Sequence, residues 1–495
     1  MCVSEPGLRP CRQAVGDAAG PASRVPGQGV EELLRPLQIS GREVLPIVEG
    51  GKGVSVSNGR SAGAFAAAGC VGTFSGVNSD AFDEDGHVIA QVYRGRTRRD
   101  RYEELVAYAI RGGIAQARMA YEESGGRGRI HMNVLWEAAA TPRVLHGILE
   151  GAKGLIHGIT CGAGMPYRMA EIGAAFGVYC YPIVSSSRAF RALWRRSYSR
   201  HPEVLGGVVY EDPWLAGGHN GLSNSEDPAR PEPPLPRVIE LRREMRGYGL
   251  DQVPIFMAGG VWYLREWKDW IDNPDLGPIA FQFGTRPLIT EESPVSDEWK
   301  RRLLTLHEGD IFLNRFSPTG FYSSAVQNGF LSELMQRNER QVAYTREPVG
   351  EHTQALRLGA RGRTFYVTPA DHERVAAWMT AGFVESLRTP DATMIFVTPT
   401  KSAQIRADQQ GCMGCLSACR FSNWAENEEG TTGKVADPRS YCIQKTLQSI
   451  AHSGDVDDNL MFAGHNAYRF SSDPFYRNGF VPKVQQLVDR ILTGD

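Results

Sequence analysis

The chain has 495 residues, 42% of them hydrophobic and 22% charged, with a formal net charge of -2. That is ample material for a large core and more than one domain, while the balanced charge gives no electrostatic case for nucleic-acid binding. No stretch approaches the roughly 18 consecutive apolar residues that span a bilayer, so a soluble, cytoplasmic protein acting on a small molecule is expected.

Residues 1–30 are rich in Gly, Pro, Ala and Arg without the apolar run of a signal peptide, and read as a disordered tail. From there, short apolar runs alternate with helix-like segments, the pattern of parallel strands joined by crossover helices. The runs are 44–48, 70–74, 130–135, 154–160, 178–184, 207–211, 254–258 and 279–283. Helical segments are expected over 60–68, 102–122, 143–153, 165–176, 188–198, 238–248, 264–271 and 296–306. Eight such pairs match a (β/α)8 barrel of about 250 residues better than an open doubly wound sheet. The expected organisation is a barrel over 31–306, an inserted α+β subdomain over 307–460 and a closing segment over 461–495. Within the insertion, strands are expected at 364–368 and 394–398 around a helix at 370–381, and the closing helix at 484–492.

Barrels of this kind place their chemistry at the C-terminal ends of the strands, with phosphate often held by the loops after strands seven and eight. Those loops here are Ala258-Gly259-Gly260-Val261 and Gly284-Thr285-Arg286, whose bare amides suit a phosphate dianion. After strand one, Glu49-Gly50-Gly51-Lys52-Gly53 leaves room for a planar ring. After strand six, Gly217-Gly218-His219-Asn220-Gly221 presents one imidazole on a nearly bare backbone. Neither a complete dinucleotide fingerprint nor a GxxxxGK[ST] loop is present.

These residues together resemble the nitronate monooxygenases, or 2-nitropropane dioxygenases, which are FMN-containing barrels related to flavin-dependent enoyl reductases. The matching pieces are Pro46 to Gly51 with Gly53, Asn133 at the end of strand three, Ala216 to Gly221, Ala258 to Gly260, and Gln282 to Arg286. The resemblance implies that Gly259, Gly260, Gly284 and Thr285 hold the FMN phosphate. It also implies that Glu49, Gly50, Gly51 and Asn133 touch the isoalloxazine, with Gly217 and Gly218 beside it, and that His219 is the catalytic base. Met461 to Asn466 resembles the family's late alanine-glycine segment, which makes Gly464 a further FMN contact. Lys52 and Glu49 depart from the apolar or small residues usual in the first loop and alter the ring's surroundings.

Cys412, Cys415 and Cys419 follow CxxCxxxC spacing, with Cys442 further on. Four close thiolates repel unless a cation or cluster neutralises them, so a metal site is expected. Three grouped cysteines and one remote resemble a [4Fe-4S] pattern, also met in flavin barrels of the 2,4-dienoyl-CoA reductase and trimethylamine dehydrogenase type; structural zinc and free thiols are the alternatives. Cys70, Cys161 and Cys180 read as core residues, and His352, His372 and His452 as surface residues without ligand spacing.

The function implied is oxidation of alkyl nitronates or nitroalkanes with O2 to carbonyl compounds and nitrite. An NAD(P)H-dependent flavin enoyl-thioester reductase that uses the cluster and an electron donor is the alternative enzyme. A flavin-binding scaffold is the non-enzymatic one.

Overall fold

The computed structural model describes residues 34–495 apart from 360 and 453–454, so the expected tail at 1–30 lies outside the described residues. Eight parallel strands close into a barrel: β1 (Ile47–Glu49), β2 (Val71–Ser75), β3 (Arg129–Leu135), β4 (Gly158–Gly162), β5 (Tyr179–Val184), β6 (Val208–Glu211), β7 (Ile255–Ala258) and β8 (Ile279–Phe283). Each pairs with the next in sequence, and Phe281 to Phe283 on β8 pair with Ile47 to Glu49 on β1 to shut the cylinder. Both faces of these strands are covered, which is why they read as continuous apolar runs rather than as alternating ones.

Helices at Gly59–Ala67, Arg98–Ser124, Thr141–Gly151, Met169–Phe176, Ser187–Arg196, Pro234–Arg246 and Asp297–Leu303 surround the barrel. Their ends follow the local chemistry. Asn58 accepts from the Ser61 amide, Thr97 and Asp100 form a reciprocal capping box, and Gly125 and Gly177 stop their helices in the left-handed region. The seventh crossover departs from the expected α-helix: Leu264–Trp270 is 3₁₀. Its buried residues, Leu264, Trp267 and Trp270, recur every third position, and a 3₁₀ turn puts such residues on one face.

A hairpin that the strand count did not anticipate, Leu37–Ile39 with Arg42–Val44, plugs the N-terminal end of the barrel. Ile39 and Val44 pack with the interior residues Val48, Val71, Tyr181, Val209 and Phe256. At the tip, Ser40 Oγ lies 2.9 Å from His131 Nε2 and 2.7 Å from the Tyr181 hydroxyl.

Beyond the barrel, Ile311–Asn314 and Ser323–Val326 form an antiparallel pair that continues onto Gly218–His219. The chain then builds a three-stranded antiparallel sheet from Gln341–Ala343, Thr393–Val397 and Glu385–Arg388, with a hairpin at Gln354–Leu358 and Arg363–Val367 and helices at Gly329–Glu339, Pro369–Thr380 and Pro399–Gln410. The strand Thr393–Val397 alternates its side chains between two cores: Met394 and Phe396 face a small local cluster, Ile395 and Val397 the main one. The helix Val484–Leu492 returns to pack on Gly59–Ala67, with Val484, Leu487, Val488 and Ile491 buried. Among the described residues no helix is long and apolar enough to cross a membrane.

Candidate active site

The C-terminal ends of the strands open into a cleft of about 1410 Å³, measured out to its open mouth. Gly50, Gly51, Asn133, Gly217, Gly218, His219, Gly259, Gly260, Gly284, Thr285 and Gly464 all line it. Glu49 does not. Its carboxylate is fully buried beside the cleft, where it accepts from Lys52 Nζ at 2.6 Å, Ser61 Oγ at 2.6 Å and the Thr73 amide at 3.3 Å. The two polar departures in the first loop are thus one buried ion pair, and Lys52 is the partner that reaches the cleft wall.

The glycines divide by role. A Cβ on Gly51 would lie 2.2 Å from Asn133 Cβ, and one on Gly217 would lie 2.5 Å from the Ala463 carbonyl carbon, so both are small because protein already fills the space. Gly259 and Gly260 adopt φ of +88° and +79°, which favours glycine. Gly284 is different: a Cβ there would meet nothing within 4 Å, and its φ is ordinary. That open space lies beside the cradle of bare amides.

The late segment closes this side of the cleft. The Gly464 amide donates to Thr285 Oγ1 at 3.0 Å, the His465 amide to the Leu215 carbonyl at 3.1 Å, and Asn466 Nδ2 to the Gly260 carbonyl. Arg286, adjacent in sequence to the cradle, points elsewhere. It is buried among Trp262, Tyr476 and Asp473, and its Nη1 donates to the carbonyls of Trp262 and Asp495. It clamps the C-terminus and leaves the cradle to main-chain donors.

His219 sits on the pair of strands joined to Ser323–Val326. Its Nε2 lies 2.6 Å from Ser317 Oγ, which lies 2.8 Å from Thr319 Oγ1, and its ring is 5.3 Å from that of Phe462. Desolvation lowers its pKa from 6.5 to about 4, so it is neutral at pH 7 and keeps a lone pair. Glu211, at the end of β6 on the cleft wall, moves the other way: burial, reinforced by Asp212, raises its pKa to about 8. A protonated carboxyl there can donate a hydrogen bond and adds no negative charge to the wall.

Several of these groups were not foreseen. Ser317 and Phe462 approach through strand pairing across about a hundred residues or more, and Glu211 carries no local motif. The helix Ile443–His452 contributes Ile443, Gln444 and Leu447 to the wall. Gln444 Oε1 accepts from Asn78 Nδ2 at 2.7 Å, while its buried Nε2 has no partner among the described residues. An amide cradle with open space, an orphaned donor on the wall and a neutral imidazole fit a flat ligand with an anionic tail.

Cys412, Cys415, Cys419 and Cys442 are free thiols brought together beside the cleft, and Cys415 is part of its wall. Burial raises the pKa of Cys415, Cys419 and Cys442, and their neighbouring sulfurs reinforce the rise. Cys70, Cys161 and Cys180 are buried core thiols. Among the described residues His352, His372 and His452 join no group of three ligands; His452 Nε2 instead lies 3.2 Å from Asp80.

The model of a family described as nitronate monooxygenase matches residues 155–488. No curated protein matches the chain. Among solved structures, FabK from Thermotoga maritima is similar at 14% identity and a TM-score of 0.48, covering 95% of this chain and 96% of that one. A nitroalkane oxidase from Streptomyces ansochromogenes is similar at 18% identity and a TM-score of 0.40, covering 61% of this chain and 79% of that one. The enoyl reductase domain of MlnA from the macrolactin biosynthesis cluster of Bacillus amyloliquefaciens is similar at 11% identity and a TM-score of 0.47, covering 91% and 94% respectively. The family match spans more than half of the sequence and takes in His219, both phosphate-type loops and the late Gly464 segment; the chain therefore belongs to the nitronate monooxygenase family and is a flavin-dependent oxidoreductase built on a TIM barrel.

Proposed function

We propose that the chain binds FMN in the cleft and oxidises alkyl nitronates, and nitroalkanes after proton removal, with O2 to carbonyl compounds and nitrite. The observation that carries this reading is His219: a desolvated, neutral imidazole on the cleft wall, in the family whose chemistry begins at an acidic carbon.

The amides of Gly259, Gly260, Gly284 and Thr285 would hold the phosphate of FMN, beside the Gly464 segment. Gly50, Gly51, Gly217, Gly218 and Asn133 would border its ring; Thr160 Oγ1 donates to Asn133 Oδ1 at 3.1 Å and fixes that amide's orientation. FMN, when bound, supplies the electron acceptor.

His219 takes the proton from the carbon next to the nitro group. In the tautomer with its proton on Nε2, Ser317 accepts that proton's hydrogen bond and Nδ1 presents the lone pair. Its low proton affinity in the empty cleft does not disable it. A nitronate anion formed at contact distance favours the imidazolium through their attraction in a low-dielectric site. Lys52 brings its positive charge already balanced by Glu49, so the first loop adds no net charge to the cleft wall.

The test is anaerobic. FMN-loaded protein mixed with propyl nitronate should bleach, and admitting air should restore the flavin spectrum with release of nitrite. Bleaching by NADPH and reoxidation by an enoyl thioester, with no response to nitronate, would overturn the reading.

A further inference from the structure

We infer that Cys412, Cys415, Cys419 and Cys442 form a site for a [4Fe-4S] cluster, seated against the wall of the flavin cleft. The ligands come from two segments, the loop 412–419 and the residue that opens the helix Ile443–His452, and both segments line the cleft through Cys415, Leu416, Ile443 and Gln444.

Main-chain amides surround the sulfurs. Gly414 N–H donates to Cys412 Sγ at 3.4 Å, and the amides of Gln444, of Phe421 and Ser422, and of Lys445 lie near Cys415, Cys419 and Cys442 in turn. Buried neutral thiols have no need of such donors, whereas cluster-bound thiolates are tuned and stabilised by them.

The spacing separates a cluster from a single ion. Tetrahedral zinc at about 2.3 Å from each sulfur draws the sulfurs to within roughly 3.8 Å of one another. No three of these four sulfurs lie mutually within 4.8 Å; among the described residues the one such ligand group is the exposed set Asp83, Asp85 and His87. A cubane takes each thiolate on a different iron and suits the wider arrangement.

The loop is also built to hold still. Gly414 adopts φ +74°, with Trp424 2.8 Å from where a Cβ would sit. The Ala139 amide donates to the Cys415 carbonyl at 3.2 Å and the Ser417 amide to the Glu137 carbonyl at 2.7 Å, which fastens the loop to the barrel after β3. Arg101 donates to the carbonyls of Cys412 and Gln410, and Arg98 to that of Gln409, bringing two guanidinium charges toward a site that carries net negative charge when filled.

The test uses the full chain, produced in iron-replete cells and purified under nitrogen, with iron, acid-labile sulfide, zinc and FMN quantified on one sample. About four iron and about four sulfide per chain are expected, with a broad absorption that dithionite bleaches and a paramagnetic signal from the reduced cluster. Cys415→Ser and Cys442→Ser should each lose most of the iron. If those variants fail to fold, reconstitution of the apo wild-type chain with ferrous iron and sulfide gives the same readout. About one zinc per chain without iron, or four thiols that remain freely alkylated after reconstitution, would overturn the site. FMN without iron overturns the cluster alone, and iron without FMN overturns the flavin reading alone.

Discussion

His219 lines the cleft on a nearly bare glycine backbone. The imidazole is kept neutral by desolvation and oriented by Ser317, a residue 98 positions away. His219→Ala should lower kcat/KM for neutral nitroalkanes by about 10²- to 10⁴-fold, the usual worth of a general base, and that for preformed nitronates by less than about tenfold. Equal losses on both substrates, measured side by side, would remove its role as base. Because the base acts unprotonated, nitroalkane turnover should be flat at neutral pH and fall only as the pH approaches about 4; a midpoint near 6.5 in kcat/KM would show that the cleft does not desolvate the ring. Glycine positions are equally specific. Gly51→Ala collides with Asn133 and should destabilise the fold, whereas Gly284→Ala meets no protein atom and acts on the ligand space alone.

Among the elements, the eight barrel strands were legible because burial on both faces leaves uninterrupted apolar runs, and the glycine loops because bare backbone at strand ends has few other uses. What escaped was non-local. The hairpin at 37–44 has too few apolar residues for a run of its own, and its place is fixed only where its tip meets His131 and Tyr181 inside the barrel. The strand Ser323–Val326 looks like loop, yet it pairs with Gly218–His219 and so places the base. The family resemblance implies that Glu49 touches the ring, but the alternation of β1 turns it into the wall, where Lys52 and Ser61 hold it. The insertion's small cluster allows a test at this scale. Phe396→Ala, at a fully buried position, should cost about 3–5 kcal/mol, lowering the melting point followed by circular dichroism while FMN binding at low temperature persists. Loss of FMN binding at low temperature would show that the insertion and the cleft are one cooperative unit.

For the molecule as a whole, burial of histidines sets the response to acid. His131 is lowered to about 3, and His157, His219 and His465 to about 4, each chiefly by desolvation from an ordinary 6.5. As the pH falls below 6.5 the unfolded chain binds protons that the folded chain refuses, so the stability these groups leave intact at neutral pH is lost progressively toward pH 4. Glu211 opposes them: its raised value favours the folded state at low pH and loses that advantage as the pH rises through about 8. Asp212 and His452, also raised, act in the same sense as Glu211; the four lowered histidines outnumber these three and predict a lower melting temperature at pH 5 than at pH 7, and an unchanged or higher one would contradict the burial pattern. Whether the strand ends and the Gly464 segment together form a flavin site is decided by titrating apo protein with FMN and following flavin fluorescence for the wild type and Gly284→Ala. Wild-type protein should bind saturably near one FMN per chain, and the variant, its circular dichroism and melting unchanged, at least tenfold more weakly; wild-type protein that takes up no FMN, or a variant that binds it equally well, would show that no flavin site lies there.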